Sequence, residues 1–228
     1  MSDNRPFDIN KVIADAKSVI TNPAGYFQAM PKSGGLVEPL IFIVVMAVAM
    51  GLISAVLSLF SSGTGGLLAW GFAAIIALPI GAVIGAFIGA AILFVIWKLM
   101  GSTESYETAF RCLAAGTAIY PVMAVLSIVP YIGTIVGIAW ISWLMIEASV
   151  GVHGRERRTA TLVFGILGVL LVISNVSSEY AARNLASKAE EMGAMFEDYQ
   201  NLPPEEAGKR MGEFLKGMEQ GMGQEPGE

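Results

Sequence analysis

Residues 110–154, FRCLAAGTAIYPVMAVLSIVPYIGTIVGIAWISWLMIEASVGVHG, decide the class of fold. Two apolar runs, 110–128 and 131–150, are joined by little more than Val129 and Pro130. At about 1.5 Å per helical residue each run crosses a hydrocarbon core of about 30 Å, so the stretch reads as an antiparallel transmembrane hairpin. The charged side chains inside the two runs, Arg111 and Glu147, each stand eighteen residues from Val129. A hairpin brings both to one depth. Because a lone charge inside a span costs roughly 3 kcal/mol, an Arg111–Glu147 ion pair is expected. A solute or proton pathway, or simple interfacial exposure about 6 Å of helix from Gly151, are the other readings of Glu147. Pro121 is expected to bend the third span, and Gly133 and Gly137 give the fourth a small-residue packing face.

Working outward, residues 67–97 form an uncharged run of about 46 Å if wholly helical. That exceeds the core, so the span must tilt, kink or begin outside it. Pro79 is the expected kink, because it removes one helical hydrogen bond and crowds the preceding turn. Gly81, Gly85 and Gly89 follow at four-residue spacing, and such a face lets a second backbone come close, within this chain or from another subunit. Residues 39–60 make the first span, opened by Pro39 and closed by Ser61, Ser62, Gly63 and Thr64. Residues 161–176 make a short fifth span.

The flanks are amphipathic. Between Asp8, a natural N-cap, and Thr21, the residues Ile9, Val12, Ile13, Ala16, Val19 and Ile20 recur at helical spacing. This helix either lies in the headgroup layer or packs under the bundle. Beyond Ser177, Ala182, Leu185, Ala189, Met192, Phe196 and Tyr199 alternate by three and four residues, the seam of a short coiled coil or helical hairpin. A break at Pro203 and Pro204 precedes a second amphipathic stretch and a terminal QEPGE expected to be disordered.

The composition excludes several classes of function. With 54% hydrophobic and 14% charged residues, the chain departs from soluble proteins, of which about a quarter is charged. From Glu179 onward five Lys/Arg face eleven Asp/Glu, so nucleic acid is not an expected partner. The single cysteine, Cys112, forbids an internal disulfide and reads as a packing residue rather than an acylation site. His153, between glycines in a basic loop, reads as solvated. No phosphate-cradling loop, HExxH or GxSxG occurs, so neither catalytic residues nor a cofactor nor a metal site is expected. No cleavable leader pattern opens the chain, and the first span is expected to direct insertion.

Charge also orients the chain. Lys11, Lys17, Lys32, Lys98, Arg155, Arg157 and Arg158 fall in the N-terminus and in the connections after the second and fourth spans. The connections after the first and third contain none. Basic loops stay cytoplasmic, which places the N-terminus in the cytoplasm and the tail outside it. In a bacterium the membrane would be the inner one.

With the spans placed, the chain resembles the Ypt-interacting protein (YIP) domain family of five-span membrane proteins in its short prokaryotic form. The resemblance lies in ITNPAGYFQAMPKSGGLVEPLIF, with its Asn-Pro, aromatic pair and Pro-Leu, and in residues 109–160, with Tyr120-Pro121, Pro130, Trp140 and the Gly151-Val152-His153-Gly154 exit. It covers roughly residues 19–176. Eukaryotic members have a cytosolic N-terminus, associate with small Rab-type GTPases and with one another, and act in vesicle transport. This chain keeps only Glu38-Pro39-Leu40 where they carry Asp-Leu-Tyr-Gly-Pro, and small GTPase binding is not carried over. The expected fold is all-α, a multispanning bundle of five transmembrane helices (38–177) between an N-terminal amphipathic segment (1–37) and an acidic helical tail (178–228). The expected role is a non-enzymatic scaffold that self-associates or binds other membrane proteins, or else a transport or channel component.

Overall fold

The computed structural model describes residues 8–59 and 65–200, and beyond them 202, 203, 205, 206, 208–212, 214 and 216. The connection through Ser61 and Thr64 and the QEPGE terminus lie outside the described residues. Eight α-helices appear among those described: α1 (Ile9–Thr21), α2 (Pro23–Ala29), α3 (Val37–Ser58), α4 (Gly65–Leu99), α5 (Tyr106–Gly116), α6 (Tyr120–Leu126), α7 (Ile132–Gly151) and α8 (Arg157–Gln200). A single 3₁₀ turn, Thr117–Ile119, links α5 to α6.

Local chemistry explains these boundaries. The Asp8 carboxylate accepts from the Asn10 N–H at 2.9 Å and starts α1. Asn22 ends that helix, and its side chain accepts from Gly25 N–H at 3.2 Å to start α2, with Pro23 at the first turn. Ser105 does the same for α5 by accepting from Thr108 N–H. At Pro121 no N–H exists to bond the Thr117 carbonyl, and the third span tightens into the 3₁₀ turn there before resuming as α6. Pro79 behaves differently. It lies inside α4, which continues through it to Leu99.

Among the described residues five stretches are long and apolar enough to cross a membrane: Val37–Ser58, Ile75–Leu99, Tyr106–Leu126, Ile132–Gly151 and one within Arg157–Met195. The protein is thus a multispanning α-helical bundle. The helix that carries the fifth span, α8, runs on past Val176 to Gln200, so the expected span and the first part of the expected helical tail belong to one continuous helix. From Ser177 to Met192 no glycine or proline interrupts it, and an Arg183–Glu179 pair at 2.7 Å braces one exposed turn.

The chain divides into two compact units, Met1–Val176 and Ser177–Glu228. In the second, the described residues from 205 onward are helical, and Arg210 lies 3.5 Å from Asp198 near the end of α8. In the first, α1 packs into the bundle: Val12 and Val19 join Phe27, Phe42, Trp97, Ala118 and Leu144 in one buried cluster. A second cluster holds Ile43, Ala86, Ala90, Phe110 and Ala114. There α4 turns alanines inward, so α3 and α5 come close to its backbone.

Candidate functional site

The connections 30–36, 100–105 and 152–156 meet at one end of the bundle, where most of the ionised groups of the first unit gather. Lys32 pairs with Glu104 at 2.6 Å, and the Lys32 carbonyl accepts from the Thr108 hydroxyl at 3.0 Å. Arg155 donates to the Met100 carbonyl at 3.1 Å. Links between residues so far apart in sequence fix the three connections to one another.

Arg111 is the most enclosed of these cations, with 7% of its side chain exposed. Its Nη2 donates to the Gly35 carbonyl at 2.8 Å, its Nε lies 3.4 Å from Glu107 Oε1, and its Nη1 lies 3.6 Å from Glu38 Oε2. Glu107 in turn accepts from the Gly35 N–H at 2.7 Å. This approach needs glycine. Gly34 and Gly35 have φ of +127° and +86°, and a Cβ on Gly34 would stand 2.9 Å from Arg111 Nη2. On the facing helix Lys11 bridges Asp15, at 3.2 Å, and Glu38. The hydrogen bond to Glu38 raises the pKa of Lys11, and burial raises that of the Tyr26 hydroxyl, so both remain protonated donors. Between α1, α2, the start of α3 and α5 these groups border a cavity of about 510 Å³.

The expected Arg111–Glu147 pair does not form. Glu147, 6% exposed, takes a two-pronged contact from Arg157, with Nη1 to Oε1 at 2.6 Å and Nη2 to Oε2 at 2.9 Å. Equal distance from the hairpin tip places two residues at one level. It does not set the angle about each helix axis, and here α7 turns Glu147 toward the start of α8 while α5 turns Arg111 toward α3.

His153 is not solvated. The chain after α7 folds back, with the Val152 and His153 N–H groups on the Ala148 carbonyl, Arg155 N–H on Ser149, and Gly154 at φ +61°. The imidazole, 5% exposed, stacks on Trp97 with ring centres 3.9 Å apart. Its Nδ1 stands 2.8 Å from Ser102 Oγ and its Nε2 3.8 Å from Cys112 Sγ. Trp97 donates to Ser149 Oγ at 2.8 Å, which donates on to the Met145 carbonyl. Burial lowers the pKa of His153 to about 4, so the ring is neutral at ordinary pH. Among the described residues no group of three His, Cys, Asp or Glu side chains is placed to hold a metal ion. The sequence signal for this burial was the glycine pair flanking Val152 and His153 beside an interfacial tryptophan, which together permit a turn tight enough to stack the rings.

The glycine faces divide. A Cβ on Gly133 would fall 2.8 Å from the Leu126 carbonyl oxygen and one on Gly137 2.5 Å from Met123 Cε, so both sit where α6 and α7 touch. Gly89 meets Leu113. Gly81 and Gly85 have nothing within 4 Å, and the inner face of α4 carries Ala82, Ala86 and Ala90 instead, one residue further on.

Among models of known protein families, the Yip1 domain matches residues 17–177. Comparisons with curated proteins and with solved structures gave no match.

Proposed function

Because the chain belongs to the Yip1 domain family and is a multi-pass membrane protein, we propose that it acts as a non-enzymatic scaffold, self-associating or holding other membrane proteins through the outer face of α4. The observation that carries this reading is Gly85, exposed and with its Cβ position open while the bundle packs on the adjoining Ala86, whereas Gly81 borders a cavity with Ala47, Tyr120 and Met123. In lipid an apolar surface gains little by being covered. Close backbone approach over small residues is what draws helices together. Exposed Ile80, Ile84 and Ile88 border the glycine stripe on one side.

The bundle end that gathers Lys32, Arg111, Arg155 and Arg157 is assigned to the cytoplasm, since basic connections are retained there. With five spans the chain beyond the fifth then emerges on the opposite side of the membrane, where its acidic helical tail is a docking element. The transport reading has less to rest on, because Arg111 and Glu147 are each neutralised by separate partners.

Mass measurement of the full chain in mild detergent tests the proposal. The native chain is expected to exceed the monomer mass, and Gly85→Leu to return it to monomer with an unchanged melting temperature. A monomeric native chain, or a Gly85→Leu oligomer of native mass, would refute it.

A further inference from the structure

The cavity beside Arg111 combines features that the packing of the bundle does not require. Its floor is apolar, formed by Met30, Pro39 and Phe42 with Ala114 and Ala115. Its rim carries two cations, Lys11 and Arg111, and two carboxylates, Asp15 and Glu38. Its volume of about 510 Å³ falls in the range of small-ligand sites, which are mostly apolar with a few placed polar groups.

Arg111 has donors to spare. A guanidinium offers five N–H groups, yet only the bond to Gly35 is short, the Nε contact to Glu107 being 3.4 Å and the Nη1 approach to Glu38 3.6 Å. A buried guanidinium with unused donors at a cavity wall is a ready receptor for an oxyanion. Lys11 and the Tyr26 hydroxyl border the same space. The four rim charges cancel, however, and Glu107 adds a further negative charge behind Arg111. A purely anionic ligand is therefore not favoured, whereas one carrying both a phosphate and an ammonium meets both signs.

Position selects the source of that chemistry. Glu38 lies in the first turn of the α3 span, and Arg111 lies about 8 Å of helix inside the start of the Tyr106–Leu126 span. The cavity therefore sits near one end of the spans, and charges beside an apolar floor match the join between a lipid's headgroup and its acyl chains. The stripe Lys11, Asp15, Ser18 and Asn22 shows how α1 contributes: one face enters the buried cluster through Val12 and Val19, and the next turns polar groups to the cavity.

We propose that this cavity binds the headgroup of a zwitterionic, amine-bearing glycerophospholipid, whose ammonium takes the place of Lys11 on Asp15 and Glu38 while Lys11, released from that bridge, joins Arg111 on the phosphate. A primary ammonium donates hydrogen bonds to both carboxylates. A trimethylammonium has no hydrogen to donate, so the site discriminates between the two common zwitterionic headgroups. This proposal stands independently of self-association.

The experiment is native mass spectrometry of the delipidated full chain, titrated with phosphatidylethanolamine, phosphatidylcholine and phosphatidylglycerol of identical acyl chains, and with glycerophosphoethanolamine as the free headgroup. The ethanolamine lipid is expected to bind about tenfold more tightly than either other lipid, the range of one or two charge-assisted hydrogen bonds. Asp15→Asn and Glu38→Gln, separately and together, are expected to reduce it to the choline lipid's affinity. Ile13→Ala, on an exposed part of the same helix, is expected to leave the preference intact. Asp15→Asn changes a partly exposed side chain by one atom, and its melting temperature reports whether it folds. Equal binding of the three lipids, a preference for the glycerol headgroup, or a preference surviving the double substitution would overturn the proposal. Free headgroup binding as tight as the lipid would overturn the assignment to a membrane lipid.

Discussion

Glu147 and Arg157 make the best-formed ion pair of the first unit, and its worth follows from an uneven environment. The carboxylate is 6% exposed and the guanidinium 56% exposed. Removing one partner of a buried pair costs about 3 to 5 kcal/mol, and an exposed pair is worth about 0 to 1 kcal/mol. A double-mutant cycle of Glu147→Gln with Arg157→Gln is therefore expected to give a coupling of about 1 to 2 kcal/mol between those limits, read as thermal stability in one detergent. The same cycle of Glu147→Gln with Arg111→Gln is expected to be additive. His153 yields a second prediction. Its pKa falls from 6.5 to about 4, so between those values the unfolded chain binds the proton and the folded chain does not. Stability is full above pH 6.5 and declines as pH drops toward 4, by up to about 3 kcal/mol. Lys32, Arg155 and Lys98 act with burial in this, and Glu104 opposes them. The melting temperature of native protein minus that of His153→Gln, followed from pH 7 to 4, should shrink. A constant difference would show that the imidazole titrates normally. Equal spacing of Arg111 and Glu147 from Val129 was legible, because it depends only on counting. Their partners were not, because angle about a helix axis depends on which faces pack, and Arg157, read from sequence as part of a basic connection, is the first residue of α8.

Helices differ in how much their sequences disclose about facing. The five spans were readable because length and hydropathy are one-dimensional quantities, and the hairpin at Val129 followed from them. The inner face of α4 was not. Gly81, Gly85 and Gly89 and Ala82, Ala86 and Ala90 repeat with the same spacing, and only a 100° rotation separates the two stripes. Alanine won the interior where Ile43, Phe110 and Ala114 fill the space a methyl leaves. On α7 the glycines do mark the contact, and they are unequal. At Gly133 the obstacle is the Leu126 backbone, which cannot move without distorting α6, whereas at Gly137 it is the end of the flexible Met123 side chain. Gly133→Ala is expected to destabilise by about 1 to 3 kcal/mol, and Gly137→Ala by less, as Met123 changes rotamer. Thermal unfolding of the two variants in detergent provides the comparison, and the reverse order would place the helix contact elsewhere. The two prolines are similarly unequal. Pro121 breaks its helix where a 3₁₀ turn absorbs the lost bond, while Pro79 is carried within one continuous α4.

For the molecule in its membrane, the proposed orientation predicts a labelling pattern. A cysteine placed at exposed Val129 is expected to react with an impermeant reagent on intact cells, and one placed at Lys98 only after permeabilisation. Native Cys112, fully buried, should stay silent in both cases and leaves the background low. Reaction at Lys98 on intact cells would invert the assignment. The gathering of connections at one end has a consequence in time as well as in space. The α1 and α2 helices are made before several of the surfaces that receive them: Ala118 in the cluster of Val12 and Val19, Glu104 and Thr108 beside Lys32, and Gly151, whose bare Cα lies against Phe27 and Gln28. Through most of synthesis the N-terminal segment must wait at the membrane surface, held by its own greasy face. These two helices are made before their seats exist, and their seating closes the bundle.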